Sequence, residues 1–285
     1  MNDLKPVTDG DLVDHTFGDQ IAASTDSARK RALKKFGLAA IGAIPWVGGF
    51  LVAMLELREN PNKIDELQRQ WLEHHAEKLR RLQATLVGIA ERLKNFGNEI
   101  NERIESPEFL AIVDNGFRAW DEAATAEKRD FVRRLLTNSA ASSLCSDDLI
   151  RLFLNWIRKY DDTHFRVIEA IFKRKGISRR DIWLSMHPSV PRDTSSEADL
   201  FKLLIHDLSL GHVIRQHRAE TLDGQFVRES TRGRPKTRPS STLKSPFDSD
   251  GEYELTELGE RFVHYVMNEV VPQIGETKPS ASQSG

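Results

Sequence analysis

Residues with chemistry to offer are few and scattered. Cys145 is the only cysteine among 285 residues, which excludes an internal disulfide and any multi-cysteine zinc site. Its small apolar neighbours mark it as a packed thiol. His74 and His75 lack companions at metal-ligand spacing and read as surface or seam residues. The chain carries no phosphate-cradling glycine loop, no nucleophile-elbow serine, no His-Glu-x-x-His pair and no kinase set. No catalytic residue, metal or cofactor is therefore assigned, and no small-molecule substrate is evident. The concentrated chemistry is electrostatic. Segment 228–244 holds Arg228, Arg232, Arg234, Lys236, Arg238 and Lys244 against Glu229. An extended Arg232, Gly233, Arg234, Pro235 run lets two guanidiniums lie along the narrow minor groove of AT-rich DNA, where the potential is most negative. Its Pro, Ser, Thr and Gly content equally suits a solubilising basic loop with no partner.

The other chemistry is hydrophobic. Residues 36–55 form 20 consecutive positions without a charge. Arg29, Lys30, Arg31, Lys34 and Lys35 precede them, and Glu56, Arg58 and Glu59 follow. The length would cross a membrane as one straight helix. However, Gly42, Pro45, Gly48 and Gly49 fall in the middle, and proline breaks the helical ladder. The expectation is a pair of short apolar helices forming a hairpin. It either dips into one leaflet or packs against the protein's own helices. In the first case Phe36, Ile41, Ile44, Pro45, Trp46, Phe50 and Leu51 meet lipid, while Lys34 and Lys35 meet anionic headgroups at roughly 1 kcal/mol per cation.

Mainly helical elements position these groups. A stripe runs through Ile64, Leu67, Trp71, His75, Leu79, Leu82, Leu86, Ile89, Leu93, Phe96, Ile100 and Ile104 at gaps of three and four. It predicts one long amphipathic helix over 60–105, seeking a partner in cis or in a second copy. Ser106 before Pro107, Thr125, Ser146 before two aspartates, and Ser178 are helix starts. They delimit a helical bundle over 106–162, and Gly176 is a helix stop. From 163 the order is helix, short helix and helix (196–210), then strands near 212–218 and 253–256 that form a two-stranded wing, and a final helix.

Leu255, Thr256, Glu257, Leu258, Gly259 after the second strand resembles the step that follows the wing in winged helix-turn-helix modules. The helix in the recognition position, through Glu197, Asp199, Leu200, Leu203 and Asp207, is acidic and apolar. A base reader wants Arg, Lys, Asn or Gln there, so a protein-interaction or packing role is expected. Thr231 to Lys236 resembles the core of an AT-hook. Arg158 and His164 are spaced roughly as in HEPN-type ribonucleases, although Lys159 departs from their usual polar residue, and a turn between two helices explains the spacing as well. Taken together, the apolar Gly/Pro segment, the long helix, Ser106 to Leu110, the helix from Phe131 to Asn138 and the wing-like end resemble the abortive-infection alpha family. That resemblance spans about residues 30–270. It implies a bacterial antiviral role and supplies no catalytic residues.

Charge and length bound the rest. Lys plus Arg total 41 and Asp plus Glu 43, a net charge of −2, so any nucleic-acid footprint is local. The expected organisation is an acidic arm (1–28), a basic flank with the apolar hairpin (29–59), the long helix (60–105), the bundle (106–162), the winged-helix-like module (163–272, basic loop 228–245) and a polar tail (273–285). The arm carries six Asp against one Lys and does not read as a secretory signal. The expectation is a cytoplasmic protein at the inner face of the cell membrane. Its expected partners are that surface, a protein or second copy along the long helix, and AT-rich DNA on the basic loop.

Overall fold

A computed structural model of the chain describes residues 27–59, 65–142, 145–217, 247 and 252–267. Nearly all of the acidic arm, the basic loop with Arg232, Arg234, Lys236 and Arg238, and the tail lie outside the described residues. The protein is mainly helical, with a small three-stranded antiparallel sheet. It divides into two units, one of residues 1–159 with 265–285 and one of residues 160–264. The apolar segment, long helix and bundle expected as separate parts are thus one unit.

The first unit contains α1 (Ser27–Gly42), α2 (Pro45–Glu59), α3 (Glu66–Leu93), α4 (Glu99–Glu105), α5 (Pro107–Glu122), α6 (Ala126–Ala141) and α7 (Asp147–Lys159). The cap signals act as expected. Ser106 accepts from the Phe109 amide with Pro107 in the first turn, and Thr125 accepts from Lys128. Asp65 and Gln68 form a reciprocal capping box at the start of α3. Helix α5 is central and packs on α1, α6 and α7. Its Phe109, Val113 and Phe117 are fully buried, and Phe117 meets Phe36 of α1 edge-on at 6.0 Å.

Two expectations are corrected here. The long helix is not continuous over 60–105: α3 ends at Leu93 and α4 begins at Glu99. Gly97 weakens the helix at that point, and Arg29 from α1 satisfies the exposed carbonyls. Arg29 is 5 % exposed and donates to the carbonyl oxygens of Leu93, Phe96 and Gly97 and to Asn101 Oδ1. It is therefore not part of a basic flank facing outward. Leu79, Leu82, Leu86, Ile89 and Leu93 are buried within the unit, where α3 packs on α6 and α2. From Leu79 to Leu93 the stripe finds its partner in cis, one of the two expected alternatives, while Leu67 and Trp71 at its start stay exposed.

The second unit runs α8 (Asp162–Lys173), β1 (Ile177–Ser178), α9 (Arg179–Met186), α10 (Ser196–Leu210), β2 (Ile214–Gln216), β3 (Glu252–Leu255) and α11 (Glu257–Phe262). A π-helical turn, Val263–Met267, follows. The sheet order is β1-β3-β2, with Ile177 opposite Tyr253 and Ile214 opposite Leu255. The expected pair of strands thus gains a third. Gly176, at φ 74°, makes the left-handed turn into β1, and its amide donates to the Tyr253 carbonyl at 3.0 Å. Val213 and Ile214 are both buried.

The Leu255 to Gly259 step has a physical reason. Leu255 ends β3. The Thr256 hydroxyl accepts from the Gly259 amide at 3.0 Å and donates to the His212 carbonyl at 2.6 Å. Gly259 lets the start of α11 approach the backbone of Val213, where a Cβ would lie 2.2 Å from the carbonyl oxygen.

On β3, the Glu254 side chain is 3 % exposed and gathers Arg215 Nε at 2.6 Å, His217 Nδ1 at 2.7 Å and Lys175 Nζ at 3.3 Å. Burial raises the Glu254 carboxyl, and the hydrogen bonds from His217, Arg215 and Lys175 outweigh it, so the net shift is downward. A carboxyl held below its unfolded value contributes stability above that value and loses it as pH falls through the folded one. Thermal melts of Glu254→Gln should therefore trail wild type at neutral pH and converge on it in acid, below the ordinary glutamate range. A gap that stays constant from neutral pH into that acid range would remove the ion cluster as the cause.

Candidate functional site

Helix α2 is apolar on nearly every side, a pattern that suits only a deeply buried helix or one in contact with lipid. Among the described residues it is covered on one side alone. Val47 and Phe50 are buried. Leu51 is 44 %, Val52 56 % and Leu55 52 % exposed, and Gly48 and Gly49 beside them are open. These positions follow a spacing of three, four and seven, so they line one face. In the same unit, Leu67 is 76 % and Trp71 39 % exposed at the start of α3, and Leu38 of α1 is 62 % exposed.

A polar and aromatic clasp holds the covered side. Trp46 Nε1 donates to Asp121 Oδ1 at 2.9 Å. Lys78 Nζ reaches the same oxygen at 2.8 Å and lies 5.1 Å over the Trp46 ring. The His75 ring sits 4.8 Å from Trp46 and 4.1 Å from Trp71. His75 is thus a seam residue whose Nδ1 meets the Trp71 carbonyl oxygen at 2.8 Å.

The membrane-contact set expected from the sequence is divided. Phe36, Ile44 and Phe50 are 0 %, 2 % and 2 % exposed. They belong to the core and are corrected out of the surface: each faces neighbouring helices of its own unit. Ile41 and Trp46 are half-buried, while Pro45, Leu51, Lys34 and Lys35 are exposed. Lys35 and Arg31 pair with Glu105 at 2.8 and 3.3 Å, and the Lys35 ammonium chiefly draws the Glu105 carboxyl below its usual range. Leu38, Val52, Leu55 and Leu67 were missed. In a run that is apolar throughout, no polar face marks which side is out. Nor is the pair a closed hairpin. Between α1 and α2 the axis turns by 87°, and among the described residues no single helix is long and apolar enough to cross a membrane. Buried Ala43 and Ile44 pin that corner, and Pro45 opens α2 in a new direction.

The other candidates have structural tasks. Arg158 donates to Asn115 Oδ1 at 2.7 Å, to the Asn115 carbonyl at 3.0 Å and to Glu122 at 3.1 Å. His164 belongs to the other unit, where its Nδ1 accepts from the Asp161 amide at 3.1 Å in a capping box. Tyr160 stacks on His164 at 5.1 Å, and burial, with help from Asp207, pushes its phenol up to about 12. Cys145 is buried. Among the described residues, no group of three His, Cys, Asp or Glu is placed to hold a metal ion.

No family model matches the chain, and no curated protein or solved structure matches it significantly.

Proposed function

We propose that this chain is a defence-type effector of the abortive-infection kind. It binds the inner surface of the cell membrane through one face of α2, and its second unit serves as a winged-helix-like module for a protein partner. The observation that carries the membrane reading is the open Leu51, Val52 and Leu55 face on a helix with no charge before Glu56. Leu38 and the exposed Lys34 and Lys35 on α1 extend it with apolar and cationic contacts. The mode is a peripheral, interfacial one, since the corner between α1 and α2 does not suit a straight span. The winged-helix reading is supported by the element order helix, strand, helix, helix, strand, strand. It is supported further by the close approach at Gly259.

Flotation with vesicles containing phosphatidylglycerol tests the membrane reading. Wild type is expected to float, and the double variant Val52→Asp with Leu55→Asp to stay behind. Each apolar side chain is worth roughly 1.5–3 kcal/mol on burial, so partitioning should fall about a hundredfold or more. The replaced side chains are exposed, so the variant's circular dichroism should match wild type. Ile44→Asp is no substitute, because it places a charge in the core. Equal flotation of wild type and the double variant, or none by either, sinks the reading.

A further inference from the structure

Helix α10 is amphipathic in an unusual sense. One face buries Ala198, Phe201, Leu204, Ile205 and Leu208. The opposite face carries Leu200, Leu203 and Leu210 at 54 %, 53 % and 66 % exposure. Carboxylates sit among and beside these leucines. Glu197 is exposed, the Asp199 side chain is 68 % exposed, and Asp207, 30 % exposed, is turned partly inward with its carboxylate 3.9 Å from His164 Nε2. Lys202, paired with Asp199 at 2.9 Å, is the only Lys or Arg on α10.

An apolar row edged by acid fits three kinds of occupant unequally. Duplex DNA is disfavoured, since the phosphate backbone would meet carboxylates. A second copy in antiparallel register centred on Leu203 sets Asp199 across from Asp207, like charge against like. A basic amphipathic helix meets both features at once, with apolar side chains on the leucines and lysines or arginines on the acidic edge. We propose that the exposed face of α10 is a docking site for a cationic amphipathic helix of another protein. The proposal rests on reading the second unit as a partner-binding module and is independent of the membrane reading.

Wild type is titrated by anisotropy with three labelled peptides of about fourteen residues. One is a leucine and lysine helix with leucines three and seven apart, one has the same composition scrambled to remove the apolar face, and one has glutamate replacing lysine. The first should bind, with affinity falling as salt rises. The other two should bind at least about tenfold more weakly. Leu203→Ala combined with Leu210→Ala should weaken the first peptide about tenfold. Glu197→Gln with Asp199→Asn should flatten its salt dependence. All four side chains are exposed, so circular dichroism should be unchanged, and vesicle flotation should match wild type. If flotation fails while the peptide still binds, only the membrane reading falls. Equal binding of all three peptides overturns the proposal. So does concentration-dependent dimerisation that Leu203→Ala removes, or duplex DNA binding that Glu197→Gln with Asp199→Asn strengthens.

Discussion

Gly259→Ala is expected to destabilise the second unit by about 2–4 kcal/mol. The added Cβ would lie 2.2 Å from the Val213 carbonyl oxygen and 3.1 Å from its carbon. Backbone cannot rotate aside as a side-chain tip can. That carbonyl also accepts the Thr256 amide at 3.0 Å, so moving it opens both the end of the sheet and the cap of α11. Overpacking costs about 1–3 kcal/mol and a lost buried hydrogen bond about 1–3 kcal/mol. Alanine's better helix propensity offsets about 1 kcal/mol. Urea melts followed by Trp183 fluorescence check the value. Gly42→Ala is the control: nothing lies within 4 Å of its added Cβ, and that variant should melt with wild type. A Gly259→Ala protein that also melts with wild type would mean that α11 does not start this close to Val213.

Local signals made much of the fold legible. Ser106 with Pro107, Thr125 and Ser178 each act within a turn of their own position and mark the helix starts expected of them, whereas Gly176, expected to stop a helix, turns the chain into β1 after the helix has ended at Lys173. The Leu255 to Gly259 step was legible as a pattern that resembles the end of a wing; its threonine cap is local, whereas its glycine answers to Val213 from far along the chain. Non-local partners were not legible. Strand β1 is two residues long and exists because Tyr253 arrives from far along the chain to pair with it. Leu93 to Glu99 shows a helical stripe on both sides, and only the arrival of Arg29 explains why the helix can stop there.

The candidate surface shows the same division from the other direction. Periodicity separates the inside of a helix from its outside when one face is polar. Residues 36–55 are apolar throughout, so Phe50 and Leu51 looked alike from the sequence. Their fates diverge because Phe50 packs 6.3 Å from Trp71 while Leu51 points away from α3. What the sequence carried was the amount of apolar surface; which part of it remains open was decided by the 87° corner and the Trp46 clasp.

Arg29→Ala is expected to destabilise the first unit by about 3 kcal/mol or more. The guanidinium is buried and donates to three main-chain carbonyls and one side-chain amide oxygen. Deleting it leaves those acceptors facing one another, at about 1–3 kcal/mol for each that water cannot reach. Arg29→Lys keeps the charge, but its single ammonium cannot span acceptors on both sides of the break. It should recover less than half of the loss. Hydrogen exchange separates this account from a general loss of packing. Amides over 93–101 should exchange faster in Arg29→Ala by a factor larger than in α5, whose Phe109, Val113 and Phe117 lie in the core. Uniform acceleration across the unit would mean that Arg29 only packs. Selective acceleration would mean that one arginine from the first helix holds the corner at which the third helix ends.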